Sequence, residues 1–161
     1  MPSWIHETAV VVGNVTLGDD VSVWPTAVIR ADVDRIEIGA RTNVQDGAVI
    51  HCDDGIPTII GADCVIGHRA VVHGSTLEDA VLVGMGAILL NGTHVGRGSI
   101  IGAGAVCLEG TVIPPHSLVL GVPAKIMKTL GPNAEASTRD NARRYVELKE
   151  RYRTGEILRR L

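Results

Sequence analysis

Three histidines, His51, His68 and His73, lie close together in a chain that repeats an aliphatic residue about every six positions. Imidazole is a common metal ligand, and three neutral imidazoles form a ligand set for a zinc-type ion that keeps one coordination position open. Whether the three rings reach one ion depends on how the repeat positions them. The residue types therefore indicate a metal site, and the geometry of the repeat must decide how it is assembled.

The repeat is a series of hexads that each begin with an aliphatic or similar residue. These residues are Leu17, Val23, Ile29, Ile38, Val44, Ile50, Ile60, Ile66 and Val72, followed after a five-residue step by Leu77, Val83, Leu89, Val95, Ile101, Cys107, Ile113 and Val119. A period of six matches neither an α-helix nor the alternation of a flat strand. It is typical of a triangular coil of about eighteen residues, in which each hexad forms one side and its aliphatic residue points inward. Coils stacked at roughly 4.8 Å bury a continuous column, so the pattern predicts an all-β fold, a parallel β-helix of roughly six coils.

The hexads stop after Val119, and the chain changes character. The segment Gly121–Lys125 contains a proline, which predicts the end of strand pairing, and a short helix is expected to follow through Leu130. From Ser137 or Thr138 the pattern predicts an amphipathic helix that runs to about residue 153. We expect this C-terminal α-helix to pack along the outside of the coil.

Length and composition predict one soluble domain. The chain has 161 residues, 45% of them hydrophobic, and a formal charge of -3, so it can bury a core and has no net positive charge to attract nucleic acid. We expect a β-helix domain over residues 1–125 and a helical segment over 126–161. The three cysteines lack metal-motif spacing and are expected to be reduced. Neither a signal peptide nor an apolar run of eighteen residues is present, which predicts a cytoplasmic protein without a membrane partner.

The hexad register positions the histidines. Ile50 and Val72 begin the same side of consecutive coils, so His51 and His73 stack one rung apart on one face, within reach of one ion. His68 follows the aliphatic residue of a different side, and outward side chains from two sides diverge. In a cyclic homotrimer, His68 of a neighbouring subunit can complete the site. The spacing therefore predicts three equivalent metal sites at three subunit interfaces.

The same register gathers polar residues near these rings. The candidate catalytic residues are Arg30, Asp32, Gln45, Asp46 and Asn91. Arg30 falls on the coil below the paired histidines and Asn91 on the coil above them. Asp46 lies one rung below His68, within range of the ring or of a bound water. Asp32 or Asp46 is placed to pair with Arg30, because an unpaired arginine beside a metal ion is costly.

At these positions the chain resembles the γ-class carbonic anhydrase family. The resemblance covers nearly the whole chain, and the motifs that carry it are Arg30-Ala31-Asp32, Asn43-Val44-Gln45-Asp46, His51, Ile66-Gly67-His68 with Val72-His73-Gly74, and Gly121-Val122-Pro123-Ala124-Lys125. Hexapeptide repeats also occur in acyltransferases. Three histidines with a Gln-Asp pair just before the first are much more specific to this family.

The resemblance implies a left-handed β-helix and a homotrimer that binds Zn²⁺, or in some members Fe²⁺ or Co²⁺. The ligands would be His51 and His73 from one subunit and His68 from the next. The implied activity is the reversible hydration of CO2 to bicarbonate by a metal-activated water, which Gln45 would help to position.

Two further expectations follow from the resemblance. Arg30 and Asp32 would support the subunit interface. The best-studied members carry a second acidic residue directly after the aspartate and a long acidic loop after the first histidine, whereas this chain has Val33 and a compact loop. Only Asp53 and Asp54 remain in that loop as possible proton shuttles, and a solvated turn is the favoured interpretation of them. Rapid turnover is therefore not predicted.

The sequence is also compatible with two other classes of function. A hexapeptide-type acyltransferase or acyl-CoA thioesterase is one, and a metal-stabilised structural subunit without turnover is the other. Acyltransferases of this architecture use one histidine as a general base, so the three-histidine set argues against that version. Activity with CO2, set against activity with acyl-CoA thioesters, separates the alternatives.

Overall fold

The computed structural model describes residues 1–157. It consists of short strands followed by one helix. The strands are β1 Trp4–Ile5, β2 Val10–Leu17, β3 Ser22–Val23, β4 Val28–Ile38, β5 Asn43–Val44, β6 Val49–His51, β7 Thr58–Ile60, β8 Val65–Ile66, β9 Val71–His73, β10 Thr76–Leu77, β11 Leu82–Val83, β12 Ile88–Leu89, β13 His94–Val95, β14 Ile100–Ile101, β15 Val106–Cys107, β16 Val112–Ile113, β17 Ser117–Leu120 and β18 Lys125–Thr129. The helix, α1, spans Pro132–Arg153.

The strands stack in parallel on three faces of a solenoid of about six turns, as the hexads predict. The first face is formed by β1, β3, β5, β8, β11, β14 and β17. The second face is formed by the first half of β4 with β6, β9, β12 and β15, and the third by the second half of β4 with β7, β10, β13 and β16. Long strand β2 pairs with β4 along both faces.

The register places the hexad residues in vertical columns. On the second face Ile29, Ile50, Val72 and Leu89 follow one another on successive coils, and all four are fully buried. Glycine directly after a hexad residue avoids a steric clash between coils. A Cβ on Gly39 would lie only 2.5 Å from the backbone carbonyl carbon of Gly61 on the next coil. The hexad columns are therefore the core of the protein.

Two departures from the hexads lie near the histidines. Between β2 and β4 the register shifts, because Gly13 pairs with Ala31 and Asn14 pairs with Arg35. Residues 32–34 therefore bulge out of β4. After β6, the segment between Asp53 and Ile56 closes on itself through two backbone hydrogen bonds. These two excursions bring acidic side chains to the second face.

The prediction for the segment after the last hexad was partly wrong. Residues Lys125–Thr129 form strand β18, not a helix, and pair antiparallel with β17. This pairing provides hydrogen-bond partners for the backbone N–H and C=O groups at the edge of the last coil, which would otherwise be unpaired. The boundary expected after residue 125 thus falls inside a strand, while residues 158–161 of the predicted helical segment lie outside the described residues.

Helix α1 begins earlier than its amphipathic pattern predicted. Pro132 occupies the first turn, where its missing N–H costs nothing, and Gly131 is the N-cap residue in place of Ser137 or Thr138. The predicted C-terminal end is confirmed, since the helix ends at Arg153 and Gly155 adopts a φ of 76°. No helix within residues 1–157 is long and apolar enough to cross a membrane.

The helix packs on the first face through an aromatic cluster. Trp4 and Trp24 from the first coils meet each other and also Tyr145 and Tyr152 of α1, with ring centroids 5.0–5.7 Å apart. These four are the complete set of Trp and Tyr in a chain without Phe. This cluster anchors the helix, because edge-to-face aromatic pairs stabilise a contact beyond the burial of each ring's apolar area.

Ion pairs extend this contact along one corner of the solenoid. Buried Lys149 of α1 donates to Asp20 Oδ1 at 2.8 Å and to the carbonyl oxygen of Pro2 at 3.1 Å. Nearer the middle of the coil, the carboxylate of Asp63 accepts hydrogen bonds from Arg41 at 2.5 and 2.9 Å and from Arg139 of the helix. Burial opposes ionisation of Asp63, but the two guanidinium groups outweigh it and hold the pKa of this carboxyl below its usual range.

Replacing Asp63 is expected to weaken this docking in a pH-dependent way. A carboxyl whose folded-state pKa is lowered contributes stability above its unfolded pKa of about 4, and that stability is lost as pH falls through the folded-state pKa. Asp63→Asn should therefore lower the free energy of unfolding by about 2 kcal/mol at neutral pH and flatten its decline below about pH 4. Urea unfolding followed by tryptophan fluorescence across this pH range measures both effects.

Asp140→Asn is the matched control, because Asp140 makes an exposed ion pair with Arg143 on the same helix. Such pairs contribute little. Equal losses of stability in the two variants would contradict the role given to Asp63.

Candidate metal centre

His51 and His73 lie side by side on the second face. They end strands β6 and β9 and occupy paired positions on neighbouring coils. The Nδ1 atom of His51 faces the Nε2 atom of His73 at 2.9 Å, and the ring centroids are 5.0 Å apart. The solenoid register alone brings these two nitrogens together.

The far nitrogen of each ring has an acceptor. The Nε2 atom of His51 lies 3.0 Å from Asp32 Oδ1, and the Nδ1 atom of His73 lies 2.6 Å from Asn91 Oδ1. A carboxylate or an amide oxygen only accepts, so each of these ring nitrogens must carry a proton and donate it. In a neutral imidazole the other nitrogen is then bare. We assign these tautomers from the hydrogen-bond partners.

The assigned tautomers leave two nitrogen lone pairs pointing at each other. Both atoms are acceptors, so a cation or a shared proton between them is needed to make the contact favourable. Two nitrogens bound to one tetrahedral zinc ion at about 2.0–2.1 Å stand about 3.3 Å apart, close to the separation of His51 Nδ1 and His73 Nε2. The donor set therefore fits half of a zinc site.

His68 lies elsewhere on the same chain. It follows β8 in the turn that leaves the first face, and its Nδ1 atom lies 3.0 Å from Asp46 Oδ2. The side chain of His68 is 40% exposed. Within residues 1–157 no three His, Cys, Asp or Glu side chains gather into a metal site. A single chain thus brings together two of the three histidines and presents the third to its surroundings.

Arg30 and Asp32 form an ion pair beside His51. The Nη1 atom of Arg30 donates to Asp32 Oδ2 at 2.5 Å, and each side chain is 47% exposed. Hydrogen bonds from His51 and from Arg30 hold the pKa of the Asp32 carboxyl below its usual range. Asp32 is therefore a carboxylate, as its acceptor role toward His51 requires.

Gln45 is buried on the first face, one coil above Trp24. Its Nε2 atom donates to Asn43 Oδ1 at 3.0 Å, and the Asn43 amide donates to the carbonyl oxygen of Cys64. Gln45 directly precedes Asp46 in the chain, and its recorded side-chain contact is with Asn43. The structure thus places Arg30, Asp32 and Asn91 beside the paired rings and Asp46 beside His68, with Gln45 at the end of the strand that leads to Asp46.

Two residues near the site have contacts that sequence reasoning missed. Asp53 accepts a hydrogen bond from Asn91 Nδ2 at 2.8 Å, although its loop indicated only a shuttle or a solvated turn. Tyr145 of α1 is half-buried, and burial together with the negative charge of Asp46 raises its pKa. The spacing of Asp53 from His51 was a usable signal, whereas the approach of Tyr145 depends on how the helix docks.

Comparison with known proteins agrees with this fold. A family model described as "Hexapeptide repeat of succinyl-transferase" matches residues 57–91 and 76–108. Among solved structures, a putative acetyltransferase from Bacillus cereus superposes with a TM-score of 0.87 at 34% identity, covering 94% of this chain and 92% of that chain. The fold is thus that of the hexapeptide-repeat β-helix proteins.

Sequence relatives define the family more narrowly. The chain is 55% identical over 146 residues to a probable carbonic anhydrase of Methanocaldococcus jannaschii, covering 91% of this chain and 92% of the relative. It is 42% identical over 155 residues to protein YrdA of Escherichia coli, covering 92% and 84%. The chain therefore belongs to the γ-class carbonic anhydrase family of hexapeptide-repeat proteins.

Proposed function

We propose that this protein catalyses the reversible hydration of CO2 to bicarbonate as a homotrimer with one zinc ion at each subunit interface. His51 and His73 of one subunit and His68 of the next would hold the ion. The observation that carries the proposal is the pair of opposed bare nitrogens, each set by a hydrogen bond on the far side of its ring. The carbonic anhydrase relative supports the choice of CO2 as substrate.

The residues of the chain have distinct roles in this proposal. Asp32 and Asn91 orient the imidazoles of His51 and His73 and hold their ring protons away from the ion, and Asp46 contacts the ring of His68. Bound zinc would supply a Lewis acid that lowers the pKa of water to about 7, a value established for carbonic anhydrases and not deduced from this structure. Gln45 would position that water from the His68 side. Fe²⁺ and Co²⁺ suit the same imidazole ligands.

An apolar column beside the histidines supports the trimer. On the second face the outward residue before each hexad position is β-branched on every coil, forming the column Val10, Val28, Val49, Val71, Ile88 and Val106. Val10 and Val49 are 46% and 37% exposed in the single chain. Covering such a column with a neighbouring subunit removes apolar area from water and would bring the neighbour's His68 toward the paired rings.

The similarity to a putative acetyltransferase keeps acyl transfer as a second candidate. That activity needs only one histidine as a general base. It therefore does not explain why the bare nitrogens of His51 and His73 face each other. Assays of the zinc-loaded and the anaerobically iron-loaded protein with CO2 and with acyl-CoA thioesters decide between the two. We expect hydration of CO2 that is lost on chelation, and no turnover of thioesters. Thioester turnover without CO2 hydration would overturn the proposal, and metal binding without either activity would indicate a structural subunit.

A further inference from the structure

The amide of Asn91 stands between a metal-site histidine and a carboxylate. Its Oδ1 atom lies 2.6 Å from His73 Nδ1, and its Nδ2 atom donates to Asp53 Oδ2 at 2.8 Å. The three side chains come from three separate parts of the chain, which are the β6–β7 loop, the end of β9 and the turn after β12. They therefore form a hydrogen-bonded series that exists only in the folded solenoid.

An amide can face a ring nitrogen with either of its ends. If Asn91 presented its NH2 group, His73 Nδ1 would have to accept, and the ring proton would move to Nε2, the atom that faces His51. That tautomer cannot bind a metal ion through Nε2. Asp53 removes the ambiguity, because a carboxylate only accepts and therefore keeps the NH2 end of Asn91 on its own side.

The chain makes room for this arrangement at Gly74. A Cβ at this position would lie 2.2 Å from Asn91 Oδ1 and 2.9 Å from Cγ2 of Ile56, which closes the Asp53 loop. Gly74 has a φ of 54°. The absence of a side chain at Gly74 thus lets the amide reach His73 and lets the loop lie over it.

We propose that Asp53 is a positioning residue of the metal site, which acts through Asn91 to fix the tautomer of His73. The proposal rests on the metal site of the proposed function. The proposal gives the two acids of the loop different roles, because Asp53 accepts the hydrogen bond from the Asn91 amide whereas Asp54 takes no part in the series. Asp32 plays the same part for His51 by a direct contact.

Zinc affinity of the assembled protein, measured by competition with a chelator, tests the proposal. Loss of a partner that orients a metal-ligating histidine typically lowers metal affinity by about 10–100-fold. We expect Asp53→Ala to show a loss in this range. Asp54→Ala removes the same charge from the same loop and is expected to leave zinc affinity unchanged. Equal affinities of the two variants would overturn the proposal.

Exchanging the two side chains gives a second test that a merely structural role would not pass. In Asp53→Asn the neighbouring amides at 53 and 91 can pair in either orientation, and in Asn91→Asp two carboxylates face each other. The double variant D53N/N91D keeps the net charge and restores a single pattern, with the carboxylate at 91 accepting from His73 and from the new amide. We expect the double variant to bind zinc more tightly than Asp53→Asn, in which the orientation of the Asn91 amide is not fixed, and a double variant no tighter than Asp53→Asn would contradict the series.

The outcomes for this proposal and for the proposed function are separable. A wild-type protein that binds zinc but does not hydrate CO2 would remove the proposed activity and leave the role of Asp53 to be read from zinc affinity. A wild-type protein that hydrates CO2, with Asp53→Ala and Asp54→Ala equal in zinc affinity, would retain the activity and remove the role of Asp53. Thermal unfolding of the metal-free variants shows whether each remains folded.

Discussion

Mixed assemblies of a His68→Ala chain and a His73→Ala chain are expected to recover metal and CO2 hydration that neither variant shows alone. Each homotrimer lacks one ligand at every interface. In a mixed trimer, one interface joins a chain that retains His51 and His73 to a chain that retains His68, in the correct cyclic order. Random mixing of equal amounts makes about three quarters of the trimers mixed, so about one quarter of all sites should be intact.

A matched mixture provides the control. His51 and His73 face each other within one chain, so a mixture of His51→Ala and His73→Ala chains has no interface with all three ligands. Elemental analysis and a CO2 hydration assay on co-refolded samples measure the recovery, and native mass spectrometry shows whether mixed trimers formed. If mixed trimers of the first pair stay as empty as their parents, the site is not shared between subunits in the proposed way.

Metal is expected to make a large contribution to the stability of the assembly. An ion that binds only the folded trimer stabilises it by about 4 kcal/mol when free zinc is about 1,000 times its dissociation constant. Chelation should remove this stabilisation, and His73→Ala should abolish the response to zinc by removing a ligand. Thermal unfolding with and without added zinc measures both changes.

His94→Ala is the control for this experiment. His94 lies on the third face, not on the second face with His51 and His73, and pairs with Glu78 at 2.9 Å. Its variant should respond to zinc as the wild type does. A zinc response that survives in His73→Ala, or that disappears in His94→Ala, would contradict the ligand set.

The hexad pattern by itself determined the solenoid and the positions of most candidate site residues. A fixed period of six places every residue on a known side of a known coil, because parallel strands with constant turn lengths leave no freedom of register. This is why the pairing of His51 with His73, the position of Arg30 below them and the contact of Asp46 with His68 follow from counting residues. The separation of His68 from the other two rings follows in the same way.

Tertiary structure alone decided what lies outside the repeat. Strand β18 forms because the last coil offers an unpaired edge, a condition that the residues Lys125–Thr129 do not encode locally. The docking of α1 depends on aromatic contacts between residues about 120 to 150 positions apart along the chain, such as Trp24 with Tyr145. The hydrogen bond of Asn91 to Asp53 spans 38 positions and joins a turn to an irregular loop. Such contacts have no period, so only the packed chain shows which polar atoms meet.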